Sequence, residues 1–287
     1  MTIFNEITVV IISYKSRYQL LNCLSSLKKF KYIFIFDNSN DLKLKKEILI
    51  KFPKVRVFVS KKNIGYGAAN NFLLKKVNTS YSLLLNPDSR ITYDSVNEIY
   101  RLANNIKNKF MIITPRNKNY EIRDYFETNK KIIDLKNYEP LINIDKVHFY
   151  APFINMRKIK KYNIYFDENF FLYYEDLDFC KQVKNINQKI YLAHHIHAKH
   201  YFGKSSNSKN YDMIRQFHWG WSTTYFYKKN YNSLFSIVIT LFFILKTIIK
   251  FLNQIIHGKK NSNMFLARAK GLISGLFKNK DYQREKY

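Results

Sequence analysis

An acidic residue follows a short apolar run in the segment Leu85-Asn86-Pro87-Asp88-Ser89. A carboxylate at the end of a buried strand, beside a turn fixed by proline, is suited to binding a hard divalent cation. Such a cation would bridge two phosphate groups and offset charge on a leaving group. Asp88 is therefore a candidate metal ligand, although Asp after Pro is also ordinary turn chemistry.

A second acidic group opens a predicted helix over Leu177 to Val183. Glu175, Asp176 and Asp178 follow directly on the aromatic and apolar residues 170–174. Acids are favoured at helix starts by the helix dipole alone. Apolar neighbours, however, raise the proton affinity of a carboxylate, which suits a general base. We therefore favour a functional reading of this segment.

Four histidines lie close together near residue 197. They are His194, His195, His197 and His200. Histidine is a common metal ligand, yet no acid adjoins the last two in sequence, so a self-contained zinc site is not expected. The sharper hypothesis is that one of the four meets Asp88 in space.

Polar residues also follow the first three predicted strands. They are Ser13-Tyr14, Asp37-Asn38 and Asn63-Ile64-Gly65. Asp37 and Asn38 could hydrogen-bond a base or ribose, and glycine lets backbone approach a nucleotide closely. Considered alone, each of these residues could equally be an ordinary turn residue.

Apolar runs alternate with helical patterns in the first 85 residues. The predicted strands are Ile7–Ser13, Tyr32–Phe36, Val55–Ser60 and Tyr81–Leu85, and the predicted helices are Arg17–Phe30, Leu42–Phe52 and Ala68–Val77. This alternation predicts a mostly parallel sheet with helices on both faces. Ligands bind such sheets at the carboxyl ends of the strands, so the four polar clusters should line one crevice.

The rest of the chain is less regular. We interpret residues 116–146 as a variable loop region and both His148–Met156 and Lys189–His200 as strand-like. Ser233 to Ile256 is strongly apolar but contains Lys246 and Lys250, and its uninterrupted part of about 13 residues is short for a membrane crossing. A helix lying in the membrane interface fits better, with the lysines reaching toward headgroups. The alternative is a buried core helix followed by a solvated basic end.

Basic residues continue beyond that segment and could face anionic lipid. They are Lys259, Lys260, Arg268, Lys270, Lys278, Lys280, Arg284 and Lys286.

Composition narrows the class of protein. The chain has 287 residues, 46% of them hydrophobic, and a formal net charge of +28. That charge favours anionic partners such as phosphorylated ligands, membrane surfaces or nucleic acid. The aromatic residues fall mostly within strand and helix patterns, which favours core packing over base stacking, so no nucleic-acid partner is expected. The two cysteines, Cys23 and Cys180, and the absence of a signal-peptide pattern favour a cytoplasmic setting.

Taken in order, these segments resemble family 2 glycosyltransferases of the GT-A fold, especially the bacterial rhamnosyltransferase-like branch. The resemblance covers about residues 5 to 230 and is carried by the segments 9–14, 36–39, 63–71, 84–88, 166–171 and 174–178, and by His200 with Gly203 and Ser205. It implies a GT-A domain over residues 1–230, with a Rossmann-like sheet, and a C-terminal amphipathic helical region over residues 231–287.

The resemblance also implies roles for particular residues. Asp37 is similar to the residue that reads a pyrimidine base, and Asp88 to the last acid of the family's DxD metal motif, in which Asn86 replaces the first acid. His200 is similar to a residue that adds to the metal or phosphate site. Asp176 resembles the general base, and Glu175 would orient it or hold the acceptor. The donor-binding set is completed by Ser13, Tyr14, Asn63 and Gly65.

The implied activity is that of an inverting hexosyltransferase in polysaccharide biosynthesis. It would use a UDP- or dTDP-sugar, with rhamnose as one candidate sugar, and Mg2+ or Mn2+. The acceptor would be a saccharide or a lipid-linked saccharide at the inner face of the cell membrane. Two alternatives remain open: a basic nucleic-acid-binding protein, and a transferase-like scaffold without catalysis.

Overall fold

A computed structural model of the chain describes residues 3–126, 139–201, 209–257 and 263–277. The strands are β1 Ile7–Ser13, β2 Tyr32–Asp37, β3 Val55–Val59, β4 Tyr81–Leu84, β5 Ser89–Arg90, β6 Ile112–Arg116, β7 Leu141–Asn143, β8 Phe153–Asn155, β9 Ile190–His197 and β10 Lys199–His200. The helices are α1 Arg17–Ser25, α2 Leu42–Lys51, α3 Tyr66–Leu74, α4 Tyr93–Asn105, α5 Met156–Tyr162, α6 Glu175–Asn185, α7 Lys209–Asn230, α8 Ser233–Ile256 and α9 Asn263–Phe277. Short 3-10 turns occupy Ile3–Asn5 and Ile122–Tyr125.

Residue contacts divide the chain into two compact units. The first contains residues 1–63, 69–166 and 179–205, and the second contains 64–68, 167–178 and 206–287. The predicted boundary at residue 230 falls within the second unit. The division into a GT-A domain over residues 1–230 and a C-terminal helical region over residues 231–287 stays a prediction.

The first unit holds an eight-stranded mixed sheet in the order β3-β2-β1-β4-β8-β6-β9-β7. β3, β2, β1 and β4 run parallel to one another, and β6 runs parallel to β9. β8 pairs antiparallel with both β4 and β6, and β7 pairs antiparallel with β9. Every residue of β1 is buried, because it lies inside the sheet with neighbours on both sides. The apolar faces of α1, α2 and α4 complete the core. The predicted α/β class, with a mostly parallel sheet flanked by helices, is confirmed.

Several elements differ from their predicted form. α1 ends at Ser25 rather than Phe30, because the chain turns there and packs Leu27 and Phe30 into the core from a non-helical segment. α4 and β6 were not predicted at all, although Val96, Ile99 and Ala103 are buried at helical spacing. In the region predicted as a variable loop, β7 and a 3-10 turn form, and residues 127–138 lie outside the described residues.

The second unit contains α7, α8 and α9, which pack together. α7 and α9 approach so closely that a Cβ on Gly271 would lie 2.0 Å from the carbonyl oxygen of Phe217. α8 has the bounds predicted for the apolar tail. By length and composition alone, it is the one helix among the described residues that could cross a membrane.

Candidate active site

The ends of β1 and β2 lie side by side in the sheet. Ser13 pairs with Asp37 in parallel register, and the backbone N–H of Asn38 donates to the carbonyl of Ser13 at 2.8 Å. Ser13 and Asp37 are both buried, and the Ser13 hydroxyl lies 3.0 Å from that of Ser16. The two predicted polar clusters therefore meet at one edge of the sheet.

The Asp37 carboxylate is only partly satisfied. Its Oδ2 accepts hydrogen bonds from the backbone N–H groups of Ser39, at 3.2 Å, and Asp41, at 3.0 Å. Its Oδ1 is buried and has no hydrogen-bond partner among the described residues. Burial raises the pKa of this carboxyl above its usual range, and the two backbone donors offset only part of that effect. A buried acceptor of this kind suits a ligand that brings its own N–H donor.

The turn after β4 presents Asp88. The N–H of Ser89 donates to the carbonyl of Asn86 at 2.9 Å, which closes the turn around Pro87. The guanidinium of Arg90 donates to the carbonyls of Pro87, at 3.0 Å, and Ser89, at 2.6 Å. These bonds fix the backbone, so the nearly buried Asp88 side chain has a defined direction.

A two-stranded antiparallel ribbon brings His200 to Asp88. β10 pairs with β5, so His200 lies opposite Ser89, and the N–H of Tyr201 donates to the carbonyl of Asp88 at 3.0 Å. The Nε2 of His200 lies 3.3 Å from Oδ1 of Asp88. Of the four histidines, His200 is the one that the structure records against this acid. Gly203 and Ser205, the next residues of the resemblance, lie outside the described residues.

Tyr150 supports both members of this pair and was missed at the sequence level. Its ring stacks on that of His200, with centroids 5.5 Å apart and planes at 12°. Its carbonyl accepts from the N–H of Asn86 at 3.1 Å, and its hydroxyl donates to the carbonyl of Pro115 at 2.5 Å. Nothing in the apolar stretch around Tyr150 distinguishes it from an ordinary core tyrosine.

The Asp88 and His200 pair fits a divalent cation that is also bound by a ligand. Two donors at right angles, each about 2.1 Å from a metal, lie about 3.0 Å apart, close to the observed 3.3 Å. Among the described residues, no group of three or more His, Cys, Asp or Glu side chains is arranged to hold a metal. The remaining positions would therefore be filled by a substrate or by water.

The candidate base lies at the start of α6, in the second unit. Helix α6 begins at Glu175, two residues before the predicted start, so all three acids fall in its first turn. Tyr173 and Tyr174, directly before it, have φ values of 72° and 67°. Two bulky residues in left-handed conformation are costly, and such strain is concentrated at functional sites.

The three acids have different surroundings. Glu175 is buried, and its Oε2 has no hydrogen-bond partner among the described residues. Burial, reinforced by the adjacent Asp176, raises the pKa of Glu175 well above its usual range. Asp176 is half-buried, and its Oδ1 accepts from the N–H of Leu177 at 2.8 Å.

Asp178 is fully buried and has a structural partner. Its Oδ2 lies 2.8 Å from the ammonium of Lys229, which also contacts Asp167 Oδ2 at 2.8 Å. The hydroxyl of Tyr225 donates to the same oxygen of Asp167 at 3.0 Å. This network ties the start of α6 to the end of α7.

Three further residues, Tyr14, Asn63 and Gly65, were predicted to bind the donor. Gly65 has a φ of 88°, and a Cβ there would lie 2.7 Å from the carbonyl oxygen of Phe171, so packing alone demands a glycine. Asn63 is buried, and the ammonium of Lys15 lies 5.3 Å from the ring centroid of Tyr14. The donor-binding roles of Tyr14, Asn63 and Gly65 stay predictions.

The other three histidines have different surroundings from His200. His195 Nε2 lies 2.9 Å from Glu98 Oε1 on the surface. Burial lowers the pKa values of His194 and His197.

A mostly parallel sheet with an acidic turn after its fourth strand and a buried acid after its second is the arrangement that the resemblance to GT-A glycosyltransferases implies. The family model described as Glycosyl transferase family 2 matches residues 8–166, more than half of the chain. The chain belongs to that family.

One curated protein and two solved structures are similar to the chain. The chain is 26% identical over 204 residues to the low-salt glycan biosynthesis hexosyltransferase Agl10 of Haloferax volcanii. The match spans 66% of this chain and 65% of that protein, so the chain covers just under two thirds of the relative's length. One solved structure is that of the mannosyltransferase PcManGT of Pyrobaculum calidifontis in complex with GDP-Man and Mn2+. The match covers 95% of this chain and 87% of the PcManGT chain, with a TM-score of 0.60 and 7% sequence identity. GalNAc-T7 with UDP, GalNAc and Mn2+ matches 78% of this chain and 50% of its own, with TM-score 0.53 and 13% identity. These structures share the fold.

Proposed function

We propose that the chain is an inverting hexosyltransferase that moves a sugar from a UDP or dTDP donor to a saccharide acceptor, in the synthesis of cell-surface polysaccharide. The observation that carries the proposal is the pairing of Asp88 with His200 at 3.3 Å, on the sheet edge where the buried Asp37 keeps an oxygen unbonded. The relative from Haloferax volcanii is named a hexosyltransferase. The donor sugar, with rhamnose as one candidate, is part of this proposal.

The base of the donor is the natural partner of Asp37. Uracil and thymine both carry an N–H on the edge that faces away from the sugar, and Oδ1 of Asp37 is a buried acceptor in need of a donor. An unmet buried acceptor costs about 1–3 kcal/mol, so a base that satisfies it gains that much in affinity. The GalNAc-T7 structure, which shares this fold, has UDP bound.

The donor diphosphate would lie near Asp88 and His200, which would hold Mg2+ or Mn2+. When bound, that ion supplies positive charge that stabilises the leaving nucleoside diphosphate. The solved structures of PcManGT and GalNAc-T7 both contain Mn2+ with a nucleotide or nucleotide sugar. Tyr150 keeps the His200 ring in place by stacking on it.

The transfer itself requires a base for the acceptor hydroxyl. Asp176 takes the proton from that hydroxyl, and the resulting oxygen attacks the anomeric carbon as the bond to the diphosphate breaks. Glu175 remains protonated near neutral pH, since burial and the charge of Asp176 raise its pKa. A neutral Glu175 would donate a hydrogen bond to the bound acceptor, while Asp176 would accept the proton of the attacking hydroxyl.

The second part of the proposal places the chain on the cytoplasmic face of the membrane, where a lipid-linked acceptor would be found. The buried stripe of α8 consists of Ser236, Thr240 and Thr247, whereas its exposed surface is almost entirely apolar. A helix that buries hydroxyls and exposes Leu, Ile and Phe has the polarity expected for contact with lipid rather than water. Twelve of its large apolar side chains are exposed: Leu234, Phe235, Ile237, Val238, Leu241, Phe242, Leu245, Ile248, Ile249, Leu252, Ile255 and Ile256.

The lysines of α8 fit a helix that lies along the membrane surface. At 100° per residue, Lys246 and Lys250 lie about 80° and 120° around the helix from Val238, whereas Thr247 lies about 180° away. Both lysines therefore border one side of the apolar sector instead of interrupting it, which lets them reach toward headgroups. Arg268 is unlike them, because its guanidinium stacks on Trp219 at 4.3 Å and donates to Gln216 at 2.6 Å.

Liposome binding tests the membrane proposal. A chain that ends at residue 232 is expected to remain in solution when mixed with vesicles containing anionic lipid, whereas the full chain sediments with them. Equal sedimentation of both proteins would show that α8 and the residues after it are not the anchor.

A paired substitution tests the catalytic proposal. Asp176→Asn should reduce transfer from a UDP- or dTDP-sugar at least about a hundredfold while nucleotide binding is retained, because only the proton acceptor is removed. Asp212→Asn, an exposed acid in the same unit, is the matched control and should transfer normally. Full activity of the Asp176→Asn protein would exclude this residue as the base. A screen of several UDP- and dTDP-sugars identifies the donor.

A further inference from the structure

A groove of about 1080 Å³ lies in the first unit beside the ribbon of β5 and β10, and we call it the ribbon groove. Its lining includes Glu98, Asn117, His195, His197 and Tyr201. This volume is at the upper end of those typical for small-molecule sites. None of the residues placed in base recognition or proton transfer lines it.

The lining combines aromatic rings with planar polar side chains. The rings are those of Tyr201 and of Tyr93, over which the Lys29 ammonium lies 4.7 Å from the ring centroid. The carboxylate of Glu98 and the amides of Asn117 and Asn119 supply hydrogen-bond donors and acceptors. Tyr201 is 47% exposed, which leaves part of its ring open to a ligand. Sugar rings present both C–H faces and hydroxyls that donate and accept, so this mixture is complementary to a saccharide.

Asn117 gives the groove a built polar group. The residue is 2% exposed, and its Oδ1 accepts from the N–H of Asn119 at 3.0 Å. Its Nδ2 is buried and has no hydrogen-bond partner among the described residues. A buried amide donor in this state favours a ligand that offers an oxygen acceptor.

The lining of the groove carries charges of both signs. Its cations are Lys29, Arg90, Lys118 and Lys199, and its acids are Asp94 and Glu98, which would repel an anion locally. The guanidinium of Arg90 already donates to the carbonyls of Pro87, Ser89 and Gln19. Burial, together with the nearby charge of Arg116, lowers the pKa of His197, so that side chain is neutral at pH 7 and acts as a hydrogen-bond partner.

At the rim, Glu98 and His195 form a preorganised pair. His195 Nε2 lies 2.9 Å from Glu98 Oε1, with about half of the Glu98 side chain exposed. Each partner holds the other in one orientation, which leaves the second carboxylate oxygen available to accept from a hydroxyl.

The groove reaches the candidate donor site through His200, which lines it and also lies 3.3 Å from Asp88. A saccharide in the groove would therefore extend away from the point where the donor diphosphate binds. We propose that the ribbon groove binds the saccharide chain of the acceptor, a site that rests on the proposed transferase function. Glu98, His195 and Asn117 are its polar contacts.

Saturation-transfer NMR with named probes tests this site. The probes are disaccharides of glucose, galactose, mannose and N-acetylglucosamine, added to the full chain with UDP and Mn2+. At least one should give ring-proton signals, and the double variant Glu98→Gln/His195→Ala should weaken its binding roughly tenfold, as expected for the loss of a hydrogen bond to a charged group. Glu47→Gln, which alters another surface acid paired with basic residues, should bind the sugar normally.

The outcomes separate this proposal from the one on which it rests. UDP binding that needs Mn2+, combined with no disaccharide signal or with signals that the double variant leaves unchanged, would overturn the groove assignment alone. Failure of UDP to bind would overturn the transferase proposal as well. Binding of pyrophosphate in the groove that excludes the sugars and is lost at high salt would show an anion site instead.

Discussion

Replacing Lys229 by methionine tests how the start of α6 is held. The substitution keeps most of the side-chain volume but removes the ammonium that lies 2.8 Å from both Asp167 and Asp178. The two carboxylates would then share a mostly buried site without a cation. In the native chain the two carboxylates stabilise the charged form of Lys229. Burial alone would lower the pKa of Lys229, but Asp167 and Asp178 raise it.

The magnitude follows from burial. Breaking a buried ion pair by removing one partner costs about 3–5 kcal/mol. The Lys229 side chain is 30% exposed while that of Asp178 is 0%, so solvent screening places the expected loss near the lower limit, about 3 kcal/mol. For a chain of this size that corresponds to a fall in Tm of roughly 6–12 °C, measurable by differential scanning calorimetry.

Two controls make the reasoning refutable. Lys228→Met changes the neighbouring lysine, which is exposed and donates to the carbonyl of Leu276, and should cost less than about 1 kcal/mol. Adding Asp178→Asn to Lys229→Met should restore part of the stability, because it removes one of the two uncompensated charges. Equal losses for the two lysine variants, or no restoration by the second substitution, would refute the account.

The pH dependence has a defined sign. Burial disfavours the charged form of Asp167, but hydrogen bonds from Lys229, Asn169 and Tyr225 outweigh it and lower its pKa. The stability from this pairing is therefore present above the unfolded-state pKa of Asp, about 3.9, and is lost as the pH falls through the lower native value. The difference between the native chain and Lys229→Met should shrink below about pH 4. A difference that is constant down to pH 3 would contradict the pairing.

Three further substitutions address the site. Tyr150→Leu should raise the Mn2+ concentration needed for activity severalfold, because it removes the ring stacked on His200. Tyr150→Phe keeps that ring, so it should keep the native Mn2+ requirement and lose only stability. Equal Mn2+ requirements for the two variants would exclude a positioning role for Tyr150. Gly65→Ala should lower the free energy of unfolding by about 2 kcal/mol or more, because φ is 88° at this position and the new Cβ would meet the carbonyl of Phe171. An unchanged denaturant unfolding curve would contradict this expected loss of stability. Glu175→Gln should have a higher Tm than the native chain at pH 9 but not at pH 5. The reason is that stability linked to a raised native pKa is present at low pH and is lost as the pH rises through that pKa. Profiles of Tm against pH that run parallel for the two proteins would contradict a buried, protonated Glu175.

Much of the first unit could be predicted from local patterns. β1 to β4 are mostly apolar runs that end in turn residues, and their parallel direction followed from the helices between them. The placement of β8 between β4 and β6 could not be predicted, because a strand of three residues carries no periodicity and its partners lie far away in sequence. α4 was missed even though its buried positions recur at helical spacing.

The candidate site was likewise only partly predictable from the sequence. The residues at strand ends were identifiable because turn chemistry and the sheet edge are both visible in the sequence. The partner of Asp88 could be narrowed to four histidines, but only the β5–β10 ribbon explains why His200 lies against it. Tyr150 and Lys229 act through contacts across the fold that no local pattern marks.

The central claim is that Asp88 and His200 bind a nucleoside diphosphate through a divalent cation. Isothermal titration of UDP into the native chain and into Asp88→Asn, each with Mn2+ and with excess chelator, tests it most directly. We predict that UDP binds the native chain only with Mn2+ and that Asp88→Asn weakens this binding at least about tenfold, since a charged ligand is lost. UDP affinity that is the same in all four titrations would contradict the claim.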